Sequence, residues 1–184
     1  MVILASKSPR RTELLNQIGI DHIVIPSTVD EKVDYSLSFD EIAKSISRQK
    51  GLDVFKNHPN DIVISADTIV CIDDKVLGKP KDRPDAFNTL RLLSGRSHLV
   101  VTGVCILKGS KQINFAEATK VYFDNLTDEE INEYLDTNDP FDKAGSYGIQ
   151  GIFARHITKI EGDFFNVMGL PVHRVYKALQ NINK

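Results

Sequence analysis

The sequence has few of the residues and segments that mark secreted or membrane-bound proteins. Of its 184 residues only two are cysteines, Cys71 and Cys105, and each lies inside an apolar run typical of a strand. Such a pair provides neither a disulfide framework nor a metal-binding pattern, so we expect reduced, buried thiols in a cytoplasmic protein. No apolar run approaches the roughly 20 residues that span a bilayer. The first residues lack the basic and apolar regions of a signal peptide, and we expect none.

The sequence also lacks an excess of charge of either sign. It has 23 basic and 25 acidic residues, which gives a net charge of −2. A chain so balanced offers no broad electrostatic surface for nucleic acid or anionic lipid, and we expect neither as a partner. Any binding of an anionic ligand must therefore be local. The five histidines form no pair with the spacing of zinc ligands, so we assign none of them to a metal.

Length and hydrophobic patterning predict an α/β fold. A chain of 184 residues, 41% of them hydrophobic, can bury a sizeable core. Strand-like runs alternate with segments of helical periodicity. The predicted strands are 2–5, 23–26, 61–72, 98–108, 112–123, 153–160 and 164–167, and the predicted helices begin at about residues 9, 39, 84, 127 and 171. Two long strands joined by Gly109-Ser110 indicate a hairpin, so we expect a mixed sheet with flanking helices.

The most informative stretch is the junction between the first strand and the first helix. Ser8 and Pro9 open this helix, with the serine as N-cap and the proline in the first turn. Arg10 and Arg11 follow in the same turn, where the partial positive charge of a helix N-terminus makes cations unfavourable. A bound phosphate would reverse this, because backbone N–H groups and both guanidinium groups would then point at one anion. An ordinary helix whose arginines extend into water explains the segment equally well.

Asp67 is the second informative residue, because it lies in the middle of a nearly continuous apolar strand. Burying a carboxylate costs free energy unless it is paired, hydrogen-bonded or bound to a metal. Such a carboxylate is a candidate general base or Mg²⁺ ligand. The alternative is that the strand ends near Ala66 and that Asp67 merely turns the chain.

Two loops carry groups suited to a nucleotide. Lys79, in the loop Gly-Lys-Pro-Lys, offers an ammonium group that would clamp a triphosphate, although a solvated turn also explains the loop. The glycine-rich segment 143–151 lets the backbone approach a ligand closely. Within it, the amide of Gln150 matches the O4 acceptor and N3–H donor of uracil or thymine. A plain turn before a strand is the alternative for this segment.

Two further charged residues have both a functional and a simpler interpretation. Glu31 lies in the polar loop 27–37, where it would join Asp67 at a metal or would simply be solvated. Lys50 lies near the end of the second predicted helix, where a cation complements the helix dipole and needs no other role.

Taken together, these motifs resemble those of the Maf family, also called septum-formation-inhibitor-like proteins. In the family's order they are Ser-Lys-Ser-Pro-Arg-Arg (6–11), Val-Asp-Glu (29–31), Ala-Asp-Thr (66–68), Gly-Lys-Pro (78–80), Leu-Ser-Gly-Arg (93–96), Lys-Ala-Gly (143–145), Tyr-Gly-Ile-Gln-Gly (147–151) and Gly-Leu-Pro (169–171). The resemblance implies a nucleoside triphosphate pyrophosphatase with a fold like that of inosine triphosphatases, in which two lobes of one domain (1–184) flank a deep central cleft. It also implies a divalent cation, Mg²⁺ or Mn²⁺, a cytoplasmic location and a homodimer.

Within that family the chain is similar to the branch that hydrolyses dTTP and UTP, with CTP and modified pyrimidine nucleotides as further candidate substrates. By this resemblance Asp67 is the proton acceptor, with Glu31 and Lys79 as further catalytic residues and with Asp67 and Glu31 at the metal. The residues that the resemblance assigns to the substrate are Ser6, Arg10, Arg11, Lys50, Thr68 and Gln150. Of these, Arg10, Thr68 and Gln150 would set the base preference. The alternative function is a nucleotide-binding regulator of septum formation without significant turnover.

Overall fold

The computed structural model describes residues 1–183 and contains a mixed seven-stranded sheet. The strands are β1 (Val2–Leu4), β2 (Ile23–Val24), β3 (Ile62–Ile72), β4 (Lys75–Leu77), β5 (Ser97–Lys108), β6 (Lys111–Phe123) and β7 (Ile157–Glu161). The α-helices are α1 (Pro9–Gln17), α2 (Phe39–Phe55), α3 (Arg83–Leu93), α4 (Asp128–Leu135), α5 (Phe164–Met168) and α6 (Val172–Ile182). The predicted α/β class, a mixed sheet with flanking helices, is confirmed.

The sheet combines parallel and antiparallel pairs. Its strand order is β2-β1-β3-β5-β6-β7, and β4 pairs with β3 outside this path. β1 is parallel to both of its neighbours, with Ile3 opposite Ile23 on one side and opposite Val63 on the other. The pairs β3–β4 and β6–β7 are antiparallel. A parallel strand needs a crossover connection, and α1 provides it between β1 and β2.

The chain divides into two compact units. Unit 1 contains Met1–Thr68, Val101–Glu117 and Phe165–Lys184, and unit 2 contains Ile69–Val100 and Ala118–Phe164. The expectation of one domain whose two lobes flank a cleft stays a prediction.

The core of unit 1 contains one of the two cysteines. Cys105 packs in a buried cluster with Ile3, Val63 and Leu107, among others. Burial raises the pKa of its thiol to about 12, so the side chain stays protonated and behaves as a small apolar group. Cys71 in unit 2 is also buried. The prediction that both thiols are buried is confirmed.

Helix α2 lies unusually close to the strands beneath it in unit 1. A Cβ atom at Gly103, on β5, would overlap the backbone of Ala43 on α2. Further along the helix, a Cβ at Gly51 would lie 2.6 Å from the Ser65 hydroxyl on β3. That hydroxyl donates to the α2 carbonyl of Ser47 at 2.7 Å. Two glycines and one strand serine therefore fix the position of α2, the helix that carries Lys50.

The core of unit 2 is a cluster of aromatic rings. Phe153 lies at its centre, with ring centroids 4.7 Å from Tyr134, 4.8 Å from Phe123 and 5.3 Å from Tyr147. His98 packs edge-on against Phe123, and its Nε2 lies 2.8 Å from the Tyr147 hydroxyl. Aromatic packing of this kind contributes both buried area and preferred edge-to-face geometry.

The buried histidine of this cluster makes the stability of the fold dependent on pH. Burial lowers the pKa of His98 to about 4, so the folded protein binds its proton less well than the unfolded chain. We therefore expect the free energy of unfolding to fall as the pH drops from 6.5 to about 4, by up to about 3 kcal/mol from this residue. Urea unfolding of the wild type and His98→Gln across this range measures the effect, because the variant lacks this contribution. His173→Gln, at an exposed position on α6, is the control, and parallel pH profiles for wild type and His98→Gln would contradict the assignment.

Two of the predicted strands are wrong in whole or in part. Residues 152–156 form a short 3₁₀ helix, and the strand begins only at Ile157. Residues 164–167 belong to the helix α5. Short apolar runs have no periodicity that separates a strand from a buried helical turn. Strand β4 is too short to be predicted, and the turn before it is formed by Asp73 and Asp74, which both have positive φ, 49° and 57°.

The helix starts differ in how completely they are capped, and the cap predicted at Ser8 is present in position only. Ser8 holds the N-cap position of α1, but its side chain makes no capping hydrogen bond. Ser38 accepts from the Glu41 N–H at 3.4 Å, and the complete reciprocal capping box occurs at the start of α4. Within residues 1–183, no helix is both long enough and apolar enough to cross a membrane.

Candidate active site

Three of the residues assigned from the sequence meet in unit 1. Lys50 Nζ, on α2, donates to Asp67 Oδ1 on β3 at 2.5 Å and lies 3.0 Å from Glu31 Oε1. The side chains of Lys50 and Asp67 are only 18% and 16% exposed, whereas that of Glu31 is 41% exposed. One ammonium group thus joins two carboxylates. The dipole role considered for Lys50 is insufficient, because its ammonium group is an ion-pair partner of Asp67.

The loop that carries Glu31 is tied to α2 by two side chains that the sequence motifs did not reveal. Asp53 accepts hydrogen bonds from the Ser27 hydroxyl and the Thr28 N–H, both at 2.9 Å. Hydrogen bonds from Lys56, Thr28 and Ser27 lower the pKa of Asp53 to about 2, so it is ionised. Gln49 pairs with the backbone of Lys32 in both directions, and both bonds are 2.9 Å long. Neither residue has a neighbour pattern from which its role could be predicted.

A second cluster in unit 1 is built around Arg11, which is 9% exposed. Its Nη1 donates to the Ser6 hydroxyl at 2.9 Å, its Nη2 to the Thr68 hydroxyl at 3.0 Å and its Nε to the Gly169 carbonyl at 2.8 Å. Burial lowers the pKa of the guanidinium group, and the negative charge of Asp67 opposes this shift. An arginine remains protonated in proteins, so Arg11 is a buried cation. The alternative that it extends into water is therefore wrong, and Arg10 is half-buried.

The two clusters are linked by consecutive residues of β3. Asp67 contacts Lys50, and Thr68 contacts Arg11. The strand continues to Ile72, so the alternative that it ends near Ala66 is wrong. The side chains of unit 1 thus provide a carboxylate, two cations and two hydroxyl groups. This arrangement can bind phosphate groups and move a proton.

Lys79 and Gln150 lie in unit 2, and both are exposed. Lys79 follows β4, and Gln150 lies in a turn after the short 3₁₀ helix Ala144–Ser146. Their two loops are joined, because the Gly145 N–H donates to the Gly78 carbonyl at 3.1 Å. Gly145 has a φ of 71°, a left-handed conformation that favours glycine. The roles of Lys79 and Gln150 stay predictions.

The acidic residues of this site suit a divalent cation. Within residues 1–183 no group of three or more histidine, cysteine, aspartate or glutamate side chains is placed to hold a metal. Asp67 and Glu31, however, already share one cation, the Lys50 ammonium group. Mg²⁺ is commonly held by one or two carboxylates together with substrate phosphates and water. The donor set therefore fits such an ion without a complete protein cage.

Comparison with known proteins assigns the chain to a family. Residues 1–182 match the family described as Maf-like protein, and the chain belongs to this family. It is 50% identical over 181 residues to the dTTP/UTP pyrophosphatase of Carboxydothermus hydrogenoformans, with 97% of each chain covered. It is 49% identical to the dTTP/UTP pyrophosphatase of Alkaliphilus oremlandii, which covers 98% of this chain and 95% of that one. The family predicted from the motifs is confirmed.

A solved structure also resembles this chain. It is that of the Staphylococcus aureus Ham1 protein, with a TM-score of 0.49 and 15% sequence identity over 100% of this chain and 99% of that chain.

Proposed function

We propose that this chain is a nucleoside triphosphate pyrophosphatase that hydrolyses dTTP and UTP to the monophosphate and pyrophosphate. Relatives 44–50% identical over nearly the whole chain carry the name dTTP/UTP pyrophosphatase. The observation that carries the proposal is the position of Asp67. This carboxylate is fixed by Lys50 on a buried strand, and its neighbour Thr68 contacts the buried cation Arg11. A base and a phosphate-binding cation are thus held by consecutive residues.

In the proposed reaction, a water molecule attacks the α-phosphorus and pyrophosphate leaves. Asp67 accepts a proton from the attacking water, and the hydrogen bond from Lys50 keeps its carboxylate oriented. Arg11 and Lys79 offset the negative charge of the triphosphate, and Ser6 donates a hydrogen bond to it. When bound by Asp67 and Glu31, Mg²⁺ or Mn²⁺ supplies further positive charge for the phosphates and the departing group.

Recognition of the base is assigned to three side chains of different chemistry. Arg10 and Gln150 offer hydrogen-bond donors, and Gln150 and Thr68 offer acceptors. Uracil and thymine present two carbonyl acceptors on either side of one N–H donor. The complementary protein site therefore has one acceptor between two donors. The proposal also includes a cytoplasmic location, a homodimer and a small-molecule nucleotide as substrate, with neither nucleic acid nor membrane as a partner.

The test is a panel of triphosphates assayed for both products. UTP, dTTP, CTP and ATP are incubated with the protein and Mg²⁺ or Mn²⁺, and pyrophosphate and monophosphate are measured separately. We expect equal amounts of both products from UTP and dTTP, little from ATP, and loss of activity in EDTA that added Mg²⁺ restores. Binding of UTP without release of pyrophosphate would support the regulator instead. Release of inorganic phosphate with a diphosphate product would contradict attack at the α-phosphorus.

A further inference from the structure

The hydroxyl group of Thr102, on β5, lies directly behind Thr68 in unit 1. The two Oγ1 atoms are 2.9 Å apart, and Thr102 is fully buried. Thr102 Oγ1 also donates to the Asn166 carbonyl at 3.1 Å. A carbonyl oxygen only accepts, so the single hydroxyl hydrogen of Thr102 is used in this bond. The hydrogen between the two threonines must therefore come from Thr68.

The direction of these bonds is fixed around a closed ring. Arg11 donates to Thr68, Thr68 donates to Thr102, and Thr102 donates to the carbonyl of Asn166. The Gly169 N–H donates to the same carbonyl at 2.9 Å, and the Gly169 carbonyl accepts from Arg11 Nε. Arg11 has only donors, so no bond of the ring can reverse.

The ring of hydrogen bonds limits the Thr68 hydroxyl to one kind of hydrogen bond with a ligand. Its hydrogen points at Thr102, and one of its two lone pairs accepts from Arg11. The second lone pair has no partner among residues 1–183, and Thr68 is only half-buried. Thr68 can therefore accept a hydrogen bond from a ligand but cannot donate one.

Ser6, on the other side of Arg11, has the opposite character. Its hydroxyl oxygen accepts from Arg11 Nη1 at 2.9 Å and from the Ser8 N–H at 3.2 Å, which fills both lone pairs. Its hydrogen remains for a ligand acceptor. Arg11 thus turns Ser6 into a donor, suited to a phosphate oxygen, and Thr68 into an acceptor, suited to an N–H group.

We propose that Thr102 is a positioning residue for base selection, which holds Thr68 as an acceptor for the N3–H group of uracil or thymine. The inference rests on the proposed function and deepens it. At position 3 uracil and thymine carry a hydrogen, whereas cytosine carries a lone pair. An acceptor that cannot rotate its own hydrogen toward the base repels that lone pair. Without Thr102, the Thr68 hydroxyl is free to donate to cytosine.

The experiment compares UTP with CTP in variants of Thr102. In Thr102→Val, which keeps the shape but removes the hydroxyl, we expect the ratio of kcat/KM for UTP to that for CTP to fall on the order of tenfold. Thr102→Ser restores the hydroxyl and is expected to keep the wild-type ratio within about twofold. Ser65→Ala, which removes a buried strand hydroxyl bonded to the Ser47 and Cys105 carbonyls, is the control for lost stability alone. It is expected to leave the ratio unchanged.

Two measurements that need no turnover accompany the kinetics. Calorimetric binding of UMP and CMP should show the same loss of preference in Thr102→Val. Neutron diffraction of the wild type should place the deuterium of the Thr68 hydroxyl on the line to Thr102 Oγ1. This measurement uses only the wild type, so it can be made even if Thr102→Val does not fold. An unchanged UTP/CTP ratio in Thr102→Val, or a deuterium of Thr68 pointing elsewhere, would overturn the proposal while leaving the hydrolysis intact. Failure of the wild type to hydrolyse any triphosphate overturns the proposed function instead, and UMP and CMP binding still decides the role of Thr102.

Discussion

Asp67→Asn is expected to lower kcat for dTTP and UTP by at least 10²–10⁴-fold, the range that general-base assistance typically provides. Asparagine occupies the same space but cannot accept a proton from the attacking water. It also leaves Lys50 with Glu31 as its ion-pair partner. Because Arg11 and Ser6 are unchanged, we expect UTP and UMP to bind with dissociation constants within about tenfold of the wild type. Initial rates of pyrophosphate release and calorimetric binding measure the two quantities.

Asp61→Asn is the matched control for this substitution. It makes the same chemical change just before the start of β3, where Asp61 pairs with the N-terminal ammonium group at 3.1 Å. We expect nearly wild-type turnover from this variant. A near-wild-type kcat in Asp67→Asn would show that Asp67 is not the general base. A fall in kcat of equal size in both variants would indicate that the substitutions damage the strand.

Gly103→Ala is expected to destabilise the protein by about 3 kcal/mol or more, a large effect for the addition of one methyl group. The new Cβ would overlap the carbonyl oxygen and the carbonyl carbon of Ala43. Both atoms belong to the backbone of α2 and cannot rotate away. The helix must move away from β5, and Lys50 moves with it. We therefore expect a lower urea concentration at the midpoint of unfolding. We also expect a lower kcat, because the distance between Lys50 and Asp67 increases.

Gly78→Ala provides the comparison for the stability measurement. A Cβ at Gly78 meets no atom within 4 Å, so the free energy of unfolding should change by less than about 0.5 kcal/mol. Equal stability of Gly103→Ala and the wild type would show that α2 does not rest on β5 in solution as it does here.

Much of the fold was predictable because the local patterns agree with the final structure. The apolar run that forms β3, the hairpin at Gly109-Ser110 and the start of α4 near residue 127 each depend on neighbouring residues. The segment 164–167 was not predictable in the same way, because its few apolar residues fit a strand and a helical turn equally well.

The candidate site was predictable in its members but not in its contacts. Asp67 is conspicuous because a carboxylate inside an apolar strand needs a partner, yet nothing local identifies Lys50, 17 residues earlier. The bond from Arg11 to the Gly169 carbonyl spans 158 residues, and only the fold brings these groups together. Gly103 had a usable signal, since an isolated glycine within a strand often marks a close backbone approach.

The approach of α2 at Gly103 also bears on how the sequence can change over time. The spacing between helix and sheet is set there by main-chain atoms and not by the bulk of hydrophobic side chains. Any other amino acid at position 103 would place a Cβ atom against the backbone of Ala43, so we expect descendants of this sequence to retain this glycine.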